Sequence, residues 1–122
     1  MLKRLPLQEK FLDIKVSGID IRLCCSDIVY AEHFAHIINI HTVAGKTLAT
    51  RQSFKVFTEF LKEDPRFFIC GRGVIVNLEQ AEDFEANAFC MREGSRVYVC
   101  QNLLKSARQV FMEFLLQRGR IG

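Results

Sequence analysis

At 122 residues and 14.1 kDa, with 49% hydrophobic side chains, the chain has the length of one domain and too much apolar content for disorder. Its net charge of +3, from 17 bases and 14 acids, is weak for a nucleic-acid binder. The longest stretch free of formal charge, His33–Gly45, falls short of the ~20 apolar residues a membrane-spanning helix needs. No self-similar period marks a repeat array. Met1–Lys10 is no signal peptide, because Gln8, Glu9 and Lys10 interrupt the apolar run. The five cysteines, Cys24, Cys25, Cys70, Cys90 and Cys100, are odd in number and lack CxxC spacing, which reads as a reduced, cytoplasmic protein without disulfides.

Taken in chain order, Leu12, Ile14 and Val16 alternate with Asp13 and Lys15. After Ser17-Gly18, Ile19, Ile21 and Leu23 alternate with Asp20 and Arg22. Period-two alternation on both sides of a two-residue turn predicts a β-hairpin. Ile28–Phe34 and His36–Val43 are rich in β-branched and aromatic residues and predict two more strands, and Ala44-Gly45-Lys46 turns into a short strand Thr47–Thr50. Ser53 caps a helix whose apolar positions are Phe54, Phe57, Phe60 and Leu61, and Asp64-Pro65 ends it. Phe67–Cys70 and Val74–Asn77 predict strands split by Gly71-Arg72-Gly73. Shorter strands follow near Gln80–Phe84, Phe89–Arg92 and Arg96–Cys100. A last helix starts near Asn102, its cap, with Leu103, Ala107, Val110, Phe111, Phe114 and Leu115 as its stripe. The organisation is an extension over residues 1–10, a domain over 11–117 and a frayed tail over 118–122. The fold class is mainly β, with small antiparallel sheets, an intervening helix and a C-terminal helix.

Charge is segregated along the chain. Residues 79–93 hold one base and five acids, whereas residues 94–122 hold five bases and one acid. If the acidic strip occupies one face, another face is far more positive than the total.

Chemistry-bearing patterns are sparse. His36 lies an odd number of residues from both His33 and His41, which on a strand puts it on the opposite face from either, and no paired zinc-ligand spacing occurs, so no metal is expected. A Cys70 nucleophile has no local signature, and acids in the 79–93 strip are spaced like a solvated surface. Gly71-Arg72-Gly73 lacks the third glycine and following helix of a dinucleotide site, so neither a cofactor nor enzymatic activity is expected. Two readings of this loop stand: a tight turn with a solvated arginine, or an arginine left unhindered to meet phosphate or guanine. The eleven phenylalanines, with Phe54, Phe57, Phe60, Phe111 and Phe114 at helical spacing, read as core before they read as base-stacking platforms.

The order of motifs resembles the LytTR family, the DNA-binding domain of many bacterial response regulators. Asp27-Ile28-Val29-Tyr30-Ala31-Glu32 matches its "DI-x-Y-x-E" strand, and Ile38-Asn39-Ile40-His41-Thr42 with Gly45-Lys46 matches "I-x-I-H-T" and "G-K". Arg51, Ser53, Phe54 and Lys55 match the arginine and "S-[LF]-K" helix start, and Phe67–Asn77 (FFICGRGVIVN) matches the aromatic strand, polar loop and "VN". The resemblance spans about Leu12 to Lys105.

The resemblance implies sequence-specific binding of double-stranded DNA by loops that enter two successive major grooves, in a cytoplasmic transcription regulator of a two-component system. It places the contact loops on His36, on Gly71-Arg72-Gly73, and on Cys100-Gln101 with Asn102 and Lys105 beside it, while Arg51 positions the backbone. The chain departs from relatives in having Gly-Arg-Gly where they carry a trio such as His-Arg-Ser, and Gln101 where they carry arginine. The expected partners are double-stranded DNA bearing promoter repeats, a second copy on DNA, and a receiver domain, kinase or inhibitory protein as signal input, with no membrane insertion. Only about ten residues precede the first strand, too few for a receiver domain of ~100 residues, so a fragment or a stand-alone regulator is expected. The alternative function is a LytTR-derived protein-interaction domain with weakened or lost DNA binding.

Overall fold

A computed structural model describes residues 9–119. Strand β1 (Phe11–Val16) pairs antiparallel with β2 (Ile19–Cys24), with Leu12 opposite Leu23 and Ile14 opposite Ile21. The expected hairpin thus forms in the register its alternation demands, with Leu12, Ile14 and Leu23 buried. On its other face Asp13–Arg22 (3.1 Å) and Lys15–Asp20 (3.3 Å) are exposed ion pairs.

The central layer has five antiparallel strands: β3 (Ile28–Phe34), β4 (Ile37–Thr42), β5 (Thr47–Thr50), β6 (Phe67–Gly71) and β7 (Val74–Asn77). Their order across the sheet is β5-β4-β3-β7-β6. A third sheet is the meander β8 (Ala81–Glu85), β9 (Ala88–Met91) and β10 (Arg96–Tyr98). Helix α1 (Phe54–Leu61) follows β5, and α2 (Leu104–Gly119) closes the described chain after a 3-10 turn, Gln101–Leu103.

The central sheet separates two cores. Ala31, Ile38, Ile40 and Ile75 pack with Leu12, Ile14 and Leu23 of the hairpin and Phe57 and Leu61 of α1. On the other side Val29, Cys70 and Val76 pack with Phe89, Met91 and Val97 of the meander and Ala107, Phe111 and Phe114 of α2. Strand β7 (Val74–Asn77), which gives Ile75 to one core and Val76 to the other, therefore lacks strict burial alternation, whereas β4 keeps it.

Several motif residues turn out to build this frame. Asn77 is fully buried; its Nδ2 donates to the Ile28 carbonyl (2.8 Å) and its Oδ1 accepts from the Glu79 amide (2.9 Å). His41 stacks on Tyr30 (4.2 Å between centroids) and bonds Glu32 (2.9 Å) and Thr47 (3.2 Å). Thr42 Oγ1 donates to the Lys46 carbonyl (2.9 Å), closing the turn before β5.

Some expectations are corrected. The strand expected from His36 begins at Ile37, because Ala35 (φ 53°) and His36 (φ 67°) form a two-residue turn with both backbones left-handed. Asn102 does not cap α2: it lies inside the 3-10 turn, whose cap position is Cys100 without a side-chain bond. Phe60 and Leu115 face solvent, Phe60 beneath Lys10 Nζ at 4.7 Å from its ring. Glu79 is not a solvated member of the acidic strip, since it reaches Arg66 at 3.5 Å. Helix α2 extends through Gly119, two residues into the expected tail, while Met1–Gln8 and residues 120–122 lie outside the described residues.

Candidate nucleic-acid interface

Sheet register decides which loops share an edge. Thr50 lies opposite Ile38, Ile38 opposite His33, and the His33 amide donates to the Gly73 carbonyl at 2.6 Å. The C-terminus of β5, the β3–β4 turn and the β6–β7 turn therefore lie at one end of the sheet. That end carries Arg51, His36 and Arg72. With strands about 4.8 Å apart, five strands make an edge roughly 19 Å wide.

The loop after β10 joins the same edge through the Cys100 amide, which donates to the Cys70 carbonyl at 2.8 Å. This contact needs a bare backbone beside it. A Cβ on Gly71 would fall 2.2 Å from Cys100 Sγ and 3.2 Å from Cys100 Cβ. Gly73 (φ 70°) is equally constrained on the other side, where a Cβ would fall 2.9 Å from the His33 carbonyl oxygen. The two glycines thus let the arginine loop nest between the end of β3 and the Cys100–Gln101 segment. Their freedom is used against protein, with Arg72 projecting between them as an exposed side chain.

His36, Arg51, Arg72, Gln101, Asn102 and Lys105 are all exposed, and Gly71 is half-buried. Register and hydrogen bonds bring His36, Arg51, Gly71, Arg72 and Gln101 to the shared edge. Asn102 follows in the same 3-10 turn and Lys105 opens α2. Among the described residues Arg51, Arg72 and Lys105 enter no ion pair, whereas Arg22, Arg66 and Arg96 each hold an acid. Unpaired cations can neutralise an incoming anion without first surrendering a partner. The β3 end is held rigidly, because the His33 ring stacks on Phe54 of α1 at 5.5 Å.

No group of three His, Cys, Asp or Glu residues among those described is placed to hold a metal ion. Burial, with Cys100 nearby, pushes the Cys70 thiol up to about 12, so at neutral pH it is protonated and unsuited to nucleophilic attack. No helix among the described residues is long and apolar enough to cross a membrane.

Sequence reasoning placed Cys100 in the final loop, though not its part in setting the loop spacing, and it missed one member of the edge. Phe34, the last residue of β3, is 79% exposed, the most exposed large apolar side chain described. Its position beside a turn was legible; its exposure was not, because β-strand composition alone reads it as core.

Comparison with known proteins follows the same lines. The family described as "LytTr DNA-binding domain" matches residues 20–112. A solved structure, the LytTr DNA-binding domain of a putative methyl-accepting/DNA response regulator from Bacillus cereus, superimposes with a TM-score of 0.69 at 22% identity. That likeness covers 82% of this chain and 94% of the other. No curated protein matches.

Proposed function

The chain belongs to the LytTR family of DNA-binding domains, and on that premise we propose that it binds double-stranded DNA sequence-specifically through the loop edge and acts as a transcription regulator. The observation that carries this reading is the alignment of Arg51, His36, Arg72 and Gln101 along one end of the central sheet, with its cations unpaired. A major groove about 12 Å wide and a minor groove about 6 Å wide fit within an edge of this width. The edge therefore crosses from one groove into the next.

Roles follow from side-chain chemistry. Arg72 presents a planar fork suited to the O6 and N7 atoms of guanine. Gln101 pairs bidentately with adenine, and His36 reaches a base edge or phosphate. Arg51, Asn102 and Lys105 hold phosphates and fix register. Gly71 acts by admitting Cys100, which sets where Arg72 and Gln101 stand relative to each other. A single small domain covers little DNA, so two copies on repeated half-sites complete the recognition.

The test begins with selection of sites from a random duplex pool, followed by mobility-shift titration across salt concentrations. The wild-type chain should select a motif and lose affinity as salt rises. Arg72→Ala should cost about 1–3 kcal/mol on the selected site, and Lys105→Ala should weaken all duplexes alike and reduce the salt slope by about one. A second reading, a protein-interaction domain, is favoured by the exposed Met112, Leu115 and Leu116 on α2. Absence of any salt-dependent duplex binding would leave that reading in place of the first.

A further inference from the structure

The exposed phenyl ring at the end of β3 has no structural role that the fold explains. Along β3, Ala31 belongs to the hairpin-side core and His33 stacks on Phe54 of α1, so alternation sends Phe34 to the opposite face, with Tyr30 and Glu32. The meander and α2 cover that face at Val29 and Val76. Their cover does not extend to Phe34, which is 79% exposed.

Its placement is fixed. Phe34 lies opposite Ile37, and the connection between them is Ala35-His36, both left-handed. Such turns ordinarily use Asn-Gly, because β-carbons oppose positive φ. Here the strain is tolerated in a turn that separates the exposed Phe34 from the exposed His36 by one residue. Across the His33–Gly73 hydrogen bond stands Arg72. A large, exposed apolar ring thus lies on the same end of the sheet as the exposed His36 and Arg72, the edge read as facing DNA.

We propose that Phe34 is a specificity-determining residue of this edge: its ring packs against the 5-methyl group of thymine in the major groove, adding apolar readout between the polar contacts of His36 and Arg72. The proposal rests on the DNA-binding reading above. Its chemistry is that of the groove. The thymine methyl is the one apolar group that base pairs present there, and it distinguishes thymine from cytosine where a hydrogen bond would not reach. The same ring would find no methyl in the minor groove, and His36 and Arg72 on either side are suited to major-groove edges.

The experiment combines Phe34→Ala with thymine-to-deoxyuridine replacement, one position at a time, in the selected duplex. Removing the methyl that the ring reads should weaken wild-type binding about threefold to tenfold. It should leave Phe34→Ala unchanged, and Phe34→Ala should bind the intact site roughly tenfold more weakly while matching the wild type on random duplex. Phe34→Leu, apolar but smaller, should retain part of the methyl preference. Because the ring is exposed, thermal melts of both variants should match the wild type.

Failure takes distinguishable forms. A wild-type chain that binds no duplex removes the DNA-binding reading itself. A wild type that binds its site, alongside a Phe34→Ala variant that binds equally well, overturns only the proposal. Equal sensitivity of both proteins to methyl loss overturns it too, as does a Phe34→Ala defect of the same size on random duplex, which would make the ring a wedge between base steps.

Discussion

Gly18 and Gly73 allow the nesting of the arginine loop to be weighed, because both are left-handed and their surroundings differ. At Gly18 (φ 80°) a Cβ would meet nothing within 4 Å; at Gly73 (φ 70°) it would lie 2.9 Å from the His33 carbonyl oxygen. An alanine at positive φ costs roughly 1–2 kcal/mol. Loss of freedom in the unfolded chain returns about 0.4–1 kcal/mol. Gly18→Ala should therefore destabilise by about 1 kcal/mol, which is the dihedral contribution alone. Gly73→Ala adds a clash with the backbone of a central strand, which no rotamer relieves. Separating β3 from β7 enough to admit a methyl carries a further ~1–3 kcal/mol, the ordinary cost of overpacking. The 2.6 Å bond between His33 and Gly73 has room to lengthen, so the pairing survives and the protein folds. Urea unfolding of the two variants gives the comparison directly. Site affinity supplies the functional half: displacement of Arg72 from His36 by a few tenths of an ångström should weaken the selected duplex in Gly73→Ala and leave Gly18→Ala unaffected. Stabilities of the two variants within about 0.5 kcal/mol of each other would refute the close approach.

At the strained turn, Ala35→Gly should stabilise the protein by roughly 0.5–1 kcal/mol, raising the thermal midpoint by about 2–4 °C; a lower midpoint would contradict the left-handed geometry. Asn77→Ala strands the Ile28 carbonyl and the Glu79 amide in the interior and should cost about 3 kcal/mol by denaturant titration. Burial pushes the Asp64 carboxyl up, but side-chain and backbone hydrogen bonds from Arg66 outweigh it and hold the group below its usual 3.8. A depressed folded value means that the stability Asp64 contributes is complete above pH 3.8 and is lost as pH falls through the lower folded value. Asp64→Asn should flatten that acid limb in urea titrations between pH 5 and 2. At pH 7 it should cost roughly 3 kcal/mol, since it deprives a guanidinium that is 2% exposed of its bidentate partner.

Local periodicity made most strands legible. The hairpin β1–β2, the strand β3, and the pair β6–β7 with its glycine turn follow from alternation and from residues that supply positive φ. The Ala35-His36 turn gave no such signal, because neither residue favours a left-handed backbone and the strand pairing imposes it. Layering was also beyond local pattern. Nothing in Phe67–Asn77 says which side meets α1 and which meets α2. The Asp64–Arg66 pair was missed for another reason: burial of an ion pair depends on what covers it, and the sequence shows only two charges flanking a proline.

The family motifs and the candidate contacts fall largely in different places, with Arg51 and the Gly71-Arg72 loop belonging to both. His41, Thr42 and Asn77, the motif residues that carry the resemblance, are hydrogen-bonded inside the frame. The loop residues where this chain departs from relatives, Gly71, Gly73 and Gln101, lie on the edge. Substitution there changes what the edge presents without disturbing the strands that hold it. For that reason the fold could be read from the motifs, whereas the site could be read only by transferring positions.

Placement also alters the meaning of a net charge of +3. Association with an anion depends on the local field of the face it meets more than on the sum. Two acids of the 79–93 segment are paired with bases, Glu79 with the buried Arg66 and Glu85 with Arg96 at the surface. At the loop edge Arg51 and Arg72 stand without acid partners among the described residues, and Lys105 adds a third cation at the start of α2. The proposed readout, by hydrogen bonds from His36, Gln101 and Asn102 and by the ring of Phe34, would ask for no further charge. A chain with a net charge of only +3 therefore carries, at the loop edge proposed to dock DNA, three exposed cations, Arg51, Arg72 and Lys105, that no acid among the described residues neutralises.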